Sequence, residues 1–269
     1  MEKNITTEDY YSDEIARKLV HHLEAHAGEY ELQDATLYYN YPLFREIDDE
    51  LRYPSFMLIS KLHGVILFQC DNGTERSLSE DKLIELEEYI SHIHSLTFSR
   101  LIKEKKIKKG RTNLNINLTT ALYIPNYNKP IEECEDIESE LITNNSQFND
   151  FFENLKGNTI NDEKIEIILS VLEGSKGIIK PKERELEGGI VDSKASILEE
   201  LEKEIAKFDK RQKYAALSHL KGPQRIRGLA GSGKTIILAM KAALIHLKYP
   251  DKKFYILFIR KACMTMLNY

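Results

Sequence analysis

Cysteine is scarce in this sequence of 269 residues, which contains only Cys70, Cys134 and Cys263. No two of these residues have the C-x-x-C spacing that is typical of zinc-binding or redox pairs. An odd number of scattered cysteines argues against both a disulfide framework and a zinc site. We expect all three to be buried thiols that pack as small apolar side chains.

Long apolar runs and an excess of positive charge are also missing. No run approaches the roughly 18 apolar residues that span a bilayer, and residues 1–14 lack the apolar stretch of a secretory signal. We therefore expect a cytoplasmic protein without a membrane partner. The formal net charge of -5 argues against binding of nucleic acid over the whole surface, so any such contact is expected to be local.

Hydrophobic periodicity predicts an α/β domain in the first half of the chain. The predicted elements are a helix over residues 13–26 capped by Ser12, strands that begin near residues 35, 55 and 64, a helix over residues 79–106 and a strand over residues 113–125. The three consecutive strands have short connections, which favours a meander. The order of elements is helix, three strands, helix and strand.

The remaining sequence is less regular. It predicts short helices within residues 149–155 and 161–174, a linker over residues 174–196 that is rich in Gly, Lys, Glu and Pro, and a helix that begins near Ser193. We therefore expect three regions: an α/β domain over residues 1–130, a helical and acidic linker region over residues 131–192, and the start of a second α/β domain over residues 193–269.

A glycine-rich motif lies in the last region. Residues 228–235, GLAGSGKT, match G-x-x-x-x-G-K-[ST], the phosphate-binding loop of P-loop proteins. Alternating apolar residues over 225–229 predict a strand before the loop, and the apolar residues after it predict a helix that packs on a sheet. The segment FYILFI over residues 254–259 predicts a second strand, as a βαβ unit requires.

The residue types in this loop suit a magnesium-bound nucleoside triphosphate. Glycines let backbone N–H groups turn towards phosphates, and the N-terminus of the helix adds a positive dipole. Lys234 is expected to reach the β- and γ-phosphates, the Thr235 hydroxyl to bind Mg²⁺, and the Gln212 amide to select adenine. The candidates for binding ATP and Mg²⁺ are Gln212, Gly228, Ala230, Gly231, Ser232, Gly233, Lys234 and Thr235.

Over residues 205–269 the chain resembles the start of a superfamily 1 DNA helicase of the UvrD/Rep type. The resemblance lies in Gln212, the run Ala230–Thr235, and the segment FIRKACMTM with Lys261, Ala262 and Met266 at matching places. It implies the start of a RecA-like ATPase domain, ATP and Mg²⁺ as ligands, and DNA as a partner that Lys261 contacts. Ile259 and Arg260 stand where the family usually has threonine and asparagine.

The motifs that follow the loop in these helicases have no counterpart in residues 236–269. Those motifs include an apolar strand that ends in two acidic residues and an arginine that stabilises the transition state. We therefore expect nucleotide binding with slow or absent hydrolysis. On this interpretation the chain is an N-terminal portion or a natural truncation of a helicase, or a protein partner supplies the rest of the motor.

Residues 1–130 are similar to the restriction-endonuclease-like fold, in particular to the nuclease-related domains that precede some helicases. Active members of that fold hold two metal ions with an Asp on the second strand and Glu-x-Lys on the third. Here Ser55 replaces the Asp, and Gln69, Cys70 and Asp71 replace Glu-x-Lys. The resemblance therefore implies a degenerate, inactive domain with a DNA-binding or scaffolding role.

Two alternatives remain open. The first is a nucleic-acid-binding or partner-binding module with a vestigial loop. Its candidate surface is the basic stretch Lys103, Lys105, Lys106, Lys108, Lys109 and Arg111, which is otherwise a solvated helix end. The second is an active nuclease with relocated acids, for which the candidates are Glu46, Asp48, Asp49 and Glu50. On the first helix, His21, His22 and His26 are expected to be surface residues rather than metal ligands.

Overall fold

The computed structural model describes residues 1–5, 7–45, 50–74, 76–127, 137–173, 212, 215–216, 218, 224–228, 231–249, 251, 253 and 255. The strands are β1 (Glu2–Asn4), β2 (Thr36–Tyr39), β3 (Phe44–Arg45), β4 (Leu51–Arg52), β5 (Phe56–Ser60), β6 (Gly64–Cys70), β7 (Lys108–Lys109), β8 (Asn113–Leu114), β9 (Leu118–Tyr123) and β10 (Glu140–Ile142). The α-helices are α1 (Glu14–Ala25), α2 (Glu80–Leu101), α3 (Gln147–Leu155), α4 (Asp162–Leu172) and α5 (Lys234–Lys248). The linker, the helix predicted near Ser193 and most of the strand predicted over residues 254–259 lie outside the described residues.

Six strands form one mixed sheet in the order β1-β2-β5-β6-β9-β10. The central strands β2, β5 and β6 are antiparallel neighbours, which confirms the predicted meander. The pairs β1/β2, β6/β9 and β9/β10 are parallel. The protein is therefore of the α/β class, as the sequence predicts, with a sheet that is neither purely parallel nor purely antiparallel.

The sheet extends further than the sequence predicts. The edge strands β1 and β10 were not expected, and β10 lies beyond residue 130, where the first domain was expected to end. Phe148 and Phe152 of α3, and Ile168 and Leu172 of α4, are buried in the cores on the sheet. The described part of the expected linker region therefore contributes a strand and two helices to the N-terminal fold.

The helix predicted over residues 79–106 is shorter than expected. α2 ends at Leu101, and the N–H groups of Glu104 and Ile107 then donate to the carbonyls of Leu101 and Glu104, three residues back. These turns bring Ile107 into the core, where it is fully buried. The following strand is also divided, because residues 108–114 form the β7–β8 hairpin and only residues from Leu118 join the main sheet.

The cap of the first helix lies one residue later than predicted. Asp13, not Ser12, is the N-cap, and its carboxylate accepts a hydrogen bond from the N–H of Ala16 at 2.9 Å. Ser12 instead donates to the carbonyl of Asp9, so its assignment as the cap was wrong. A carboxylate at this position satisfies a helix N–H and interacts favourably with the helix dipole.

Two apolar cores cover the two faces of the sheet. Because successive strand residues point to opposite faces, Leu58 and Phe68 lie in the core with α1 and α3, whereas Met57 and Leu67 lie in the core with α2 and α4. The sheet is thus a central layer between two pairs of helices. Within the described residues, no helix has both the length and the apolar character needed to cross a lipid bilayer.

Candidate functional site

Two glycines of the phosphate-binding motif have a left-handed backbone. Gly231 has a φ of 78° and Gly233 a φ of 71°, a region that residues with a Cβ rarely adopt. Gly233 is also the N-cap of α5, and its carbonyl accepts from the N–H groups of Ile236 and Ile237, both at 3.0 Å. The glycines therefore turn the chain directly into the helix, as a phosphate-binding loop requires.

The loop also closes on itself. A Cβ at Gly228 would lie 2.6 Å from Oγ of Ser232, so a larger residue at this position would displace the Ser232 hydroxyl. The Lys234 amine donates to the same Ser232 hydroxyl at 3.2 Å. Thr235 is exposed on the first turn of α5, whereas Ala230 lies outside the described residues.

Gln212 lies against this loop although it is far from it in sequence. Its amide nitrogen donates to the carbonyl of Ser232 at 3.3 Å. The same nitrogen would be 3.2 Å from a Cβ at Gly233. A side chain with both a donor and an acceptor is therefore held at the start of the helix.

The surroundings of the loop differ from the prediction in one respect. The described residues 224–228 are not in a strand, although the sequence predicts one over residues 225–229. The helix after the loop has the predicted position, and Ile237 and Met240 on one face of it are buried in the core that also contains α2 and α4. Apolar burial on this face thus anchors the helix that carries Lys234.

The described loop residues fit a magnesium-bound triphosphate. α5 has no acidic residue in its first turn, so nothing there opposes the positive end of the helix dipole. Lys234 provides an amine and Thr235 a hydroxyl at adjacent positions of that turn. When bound, Mg²⁺ would neutralise phosphate charge beside the Thr235 hydroxyl, with Lys234 on the phosphates.

The lysine at position 241 was missed by the sequence analysis. Lys241 is only 7% exposed, and its amine donates to the carbonyls of Ala215 and Ser218 and to the Ser218 hydroxyl. Lysine is normally a surface residue. Its spacing of four residues from the buried Ile237 is the signal that places it on the buried face of α5.

The residues at the expected nuclease positions form no metal site. The Ser55 hydroxyl oxygen accepts from the N–H of Cys70 at 3.0 Å, and the Asp71 carboxylate accepts from the N–H of Gly73 at 2.6 Å. Burial, followed by the charge of Asp13, raises the pKa of the Cys70 thiol. Ser55 and Cys70 are therefore neutral groups, and the Asp71 carboxylate is bonded to the backbone of a turn.

The other candidate metal ligands are also engaged elsewhere or lie outside the described residues. Glu50 forms an ion pair with Arg52 at 2.6 Å, and Glu46, Asp48 and Asp49 are not described. His22 is buried rather than on the surface, and its Nε2 lies 2.9 Å from the Tyr30 hydroxyl. Among the described residues, no group of three His, Cys, Asp or Glu side chains is placed to hold a metal ion.

The basic stretch lies on a turn and a hairpin rather than on a helix end. Lys105 and Lys109 are exposed, Lys108 is half-buried in β7, and Lys106 forms an ion pair with Glu163 of α4. The turn and the hairpin therefore carry four lysines within five residues, and Lys105, Lys106 and Lys109 are exposed. Lys261, the other expected DNA contact, lies outside the described residues.

Comparison with known proteins finds no relative of this chain. The chain matches no protein-family model, and searches among curated proteins and solved structures find no significant match.

Proposed function

We propose that residues 228–235 bind ATP with Mg²⁺, and that the chain is the N-terminal, ATP-binding portion of a UvrD/Rep-like DNA helicase with a degenerate nuclease-like domain. The observation that carries this proposal is the contact of Gln212 with the backbone of the phosphate-binding loop. A phosphate-binding loop alone is compatible with any nucleoside triphosphate. A side-chain amide beside the loop favours a nucleotide whose base can form hydrogen bonds with that amide.

On this proposal Lys234 pairs with the β- and γ-phosphates, Thr235 binds Mg²⁺, and the backbone of Gly231 and Gly233 encloses the phosphates. The proposal concerns binding of the nucleotide and not its hydrolysis.

A fluorescent ATP analogue titrated with Mg²⁺ tests the nucleotide site. Lys234→Ala is expected to weaken binding at least tenfold, since an ion pair with phosphate contributes about 1.5–3 kcal/mol. Lys18→Ala is the matched control, because Lys18 lies on α1, on the other face of the sheet from the core that holds α5. Equal Kd values for the wild type and Lys234→Ala would overturn the proposal.

A second candidate function, local binding of nucleic acid, is favoured by the four lysines at positions 105, 106, 108 and 109, on the turn after α2 and on β7. DNA binding through this surface would weaken with salt, because each phosphate contact releases counterions. It would survive Lys234→Ala and would fall when Lys105, Lys106, Lys108 and Lys109 are changed to Gln. A variant with Gln at four other lysines, Lys3, Lys18, Lys82 and Lys156, controls for net charge; equal loss in both variants would contradict a local site.

A further inference from the structure

Lys241 is an unusual lysine because its ammonium group is enclosed by protein. The side chain is 7% exposed, and burial lowers the pKa of its amine. A buried amine is costly unless it has hydrogen-bond partners. Here the amine donates to the carbonyl of Ala215 at 3.0 Å, to the Ser218 hydroxyl at 3.3 Å and to the Ser218 carbonyl.

The acceptors belong to the segment that carries Gln212. Residues 212, 215 and 216 are helical, and residue 218 is not, so the carbonyls of Ala215 and Ser218 lie near a helix C-terminus, where the last carbonyls lack intrahelical N–H partners. A cation is favoured there. The Ala215 carbonyl also accepts from the Ser218 hydroxyl at 3.4 Å. Ala216 is also buried, in the same core as Ile237 and Met240 of α5.

The segment is thus fixed to α5 at two points. At one end the Gln212 amide bonds the Ser232 carbonyl of the loop. At the other end Lys241, seven residues and about 10 Å along the helix from Lys234, bonds the carbonyls of Ala215 and Ser218. The bond from the Gln212 amide to the Ser232 carbonyl is 3.3 Å long, near the upper limit for an N–H···O hydrogen bond. The Lys241 bonds therefore add to what holds the segment at the loop.

We propose that Lys241 is a positioning residue that holds Gln212 at the phosphate-binding loop and thereby sets the preference of the site for adenine over guanine nucleotides. This inference rests on the proposed nucleotide site. A glutamine amide can accept from the N6 amino group of adenine and donate to N7, whereas guanine presents two acceptors, O6 and N7. The preference therefore depends on where the amide is held, while the phosphates bind to the loop independently.

The test is the ratio of the Kd values for fluorescent GTP and ATP analogues with Mg²⁺. Lys241→Met, which keeps the length of the side chain, is expected to reduce the preference for ATP about tenfold, in line with one base-specific contact. The Kd for GTP is expected to change little. Gln212→Ala should have the same effect, the double variant should lose nothing more, and Lys241→Arg should restore the preference because it keeps a cation with several donors.

An unchanged ratio in Lys241→Met, together with a lost preference in Gln212→Ala, would overturn the positioning role. If circular dichroism shows that Lys241→Met does not fold, Lys241→Gln replaces it. An unchanged ratio in Lys241→Gln with a lost preference in Gln212→Ala would then overturn the positioning role. Failure of the nucleotide site itself appears separately, as equal ATP affinity in the wild type and Lys234→Ala.

Hydrogen exchange measured without nucleotide is an independent test of whether Lys241 holds residues 212–218 in place. Lys241→Met is expected to accelerate exchange in peptides that cover residues 212–218 while peptides of β5 and β6 remain protected. Unchanged exchange over residues 212–218 would contradict the inference even if no nucleotide binds.

Discussion

The Ser55 hydroxyl oxygen accepts a hydrogen bond from the backbone N–H of Cys70 at 3.0 Å, which joins the start of β5 to the end of β6. On the proposal of a degenerate nuclease-like domain, these two positions would correspond to metal-binding motifs of active nucleases. Here the serine satisfies a backbone donor instead. The neighbouring Cys70 side chain is half-buried rather than fully buried as expected. Burial, followed by the charge of Asp13, raises the pKa of its thiol.

Cys70 is therefore expected to be a poorly reactive thiol in the native protein. Thiolate is the reactive form, and a raised pKa keeps little of it at pH 8. In a Cys134→Ser, Cys263→Ser background, iodoacetamide should modify Cys70 at least about tenfold more slowly in the native protein than in urea. Mass spectrometry measures both rates. Similar rates in the two conditions would contradict the protected position.

The cap of α1 can be tested with neighbouring substitutions. Asp13→Ala removes an acceptor for the N–H of Ala16 and a partner of the Tyr39 hydroxyl, at 2.9 and 3.0 Å. We expect the free energy of unfolding to fall by about 1–2 kcal/mol. Ser12→Ala, the matched control, should cost under about 0.5 kcal/mol. Urea denaturation measures both; a larger loss for Ser12→Ala would restore the cap that the sequence favoured.

Substitution by alanine should lower the free energy of unfolding by different amounts at two glycines with similar backbone conformations. Gly64 has a φ of 84° and Gly110 a φ of 70°, so alanine is strained at both by about 1–2 kcal/mol. A Cβ at Gly64 would in addition overlap the carbonyl oxygen of Asn117, whereas a Cβ at Gly110 meets nothing within 4 Å. Gly64→Ala is therefore expected to lose at least about 1 kcal/mol more than Gly110→Ala. Equal losses in thermal and urea unfolding would show that Asn117 moves away freely.

His63 is expected to make stability fall as the pH is lowered. It is fully buried between β5 and β6, its Nδ1 lies 3.1 Å from the Ser60 hydroxyl, and burial lowers its pKa. The unfolded chain therefore takes up a proton at about pH 6.5, before the folded protein does. Stability attributable to neutral His63 is complete above this pH and decreases below it, by at most about 1.4 kcal/mol per pH unit.

The measurement is the free energy of unfolding of the wild type and His63→Gln between pH 7.5 and pH 5. The variant should show a smaller decrease over this range. His22, whose pKa burial also lowers, contributes in the same direction, so His22→Gln should flatten part of the remaining slope. Identical slopes in the wild type and His63→Gln would refute this role.

The sequence predicts the elements that bury a regular apolar stripe or run. α1, α3, α4 and the strands β2, β5 and β6 all have this property, and the structure confirms them. β1 and β10 are three residues each, and their sequences, EKN and ELI, are too short to show an alternating pattern. Backbone pairing with β2 and β9 defines them, and such long-range pairing has no local sequence signal.

The same distinction applies to the candidate site. The glycine-rich loop is a local pattern, because the chain itself must turn there. The spacing of four residues from Ile237 places Lys241 on the buried face of α5, but it does not show which groups its amine bonds there. Its burial depends on acceptors at Ala215 and Ser218, which only the folded arrangement brings to it.

The mixed pairing of the sheet has a consequence for the order of folding. β5 and β6 are joined by a turn of three residues, Lys61–His63, so their antiparallel pairing closes a short loop. β6 and β9 are parallel neighbours with α2 between them in the chain, and a longer loop costs more entropy to close. We therefore expect the β5–β6 hairpin to form in the folding transition state and β9 with β10 to dock later, which gives high φ-values at Leu58 and low ones at Leu122.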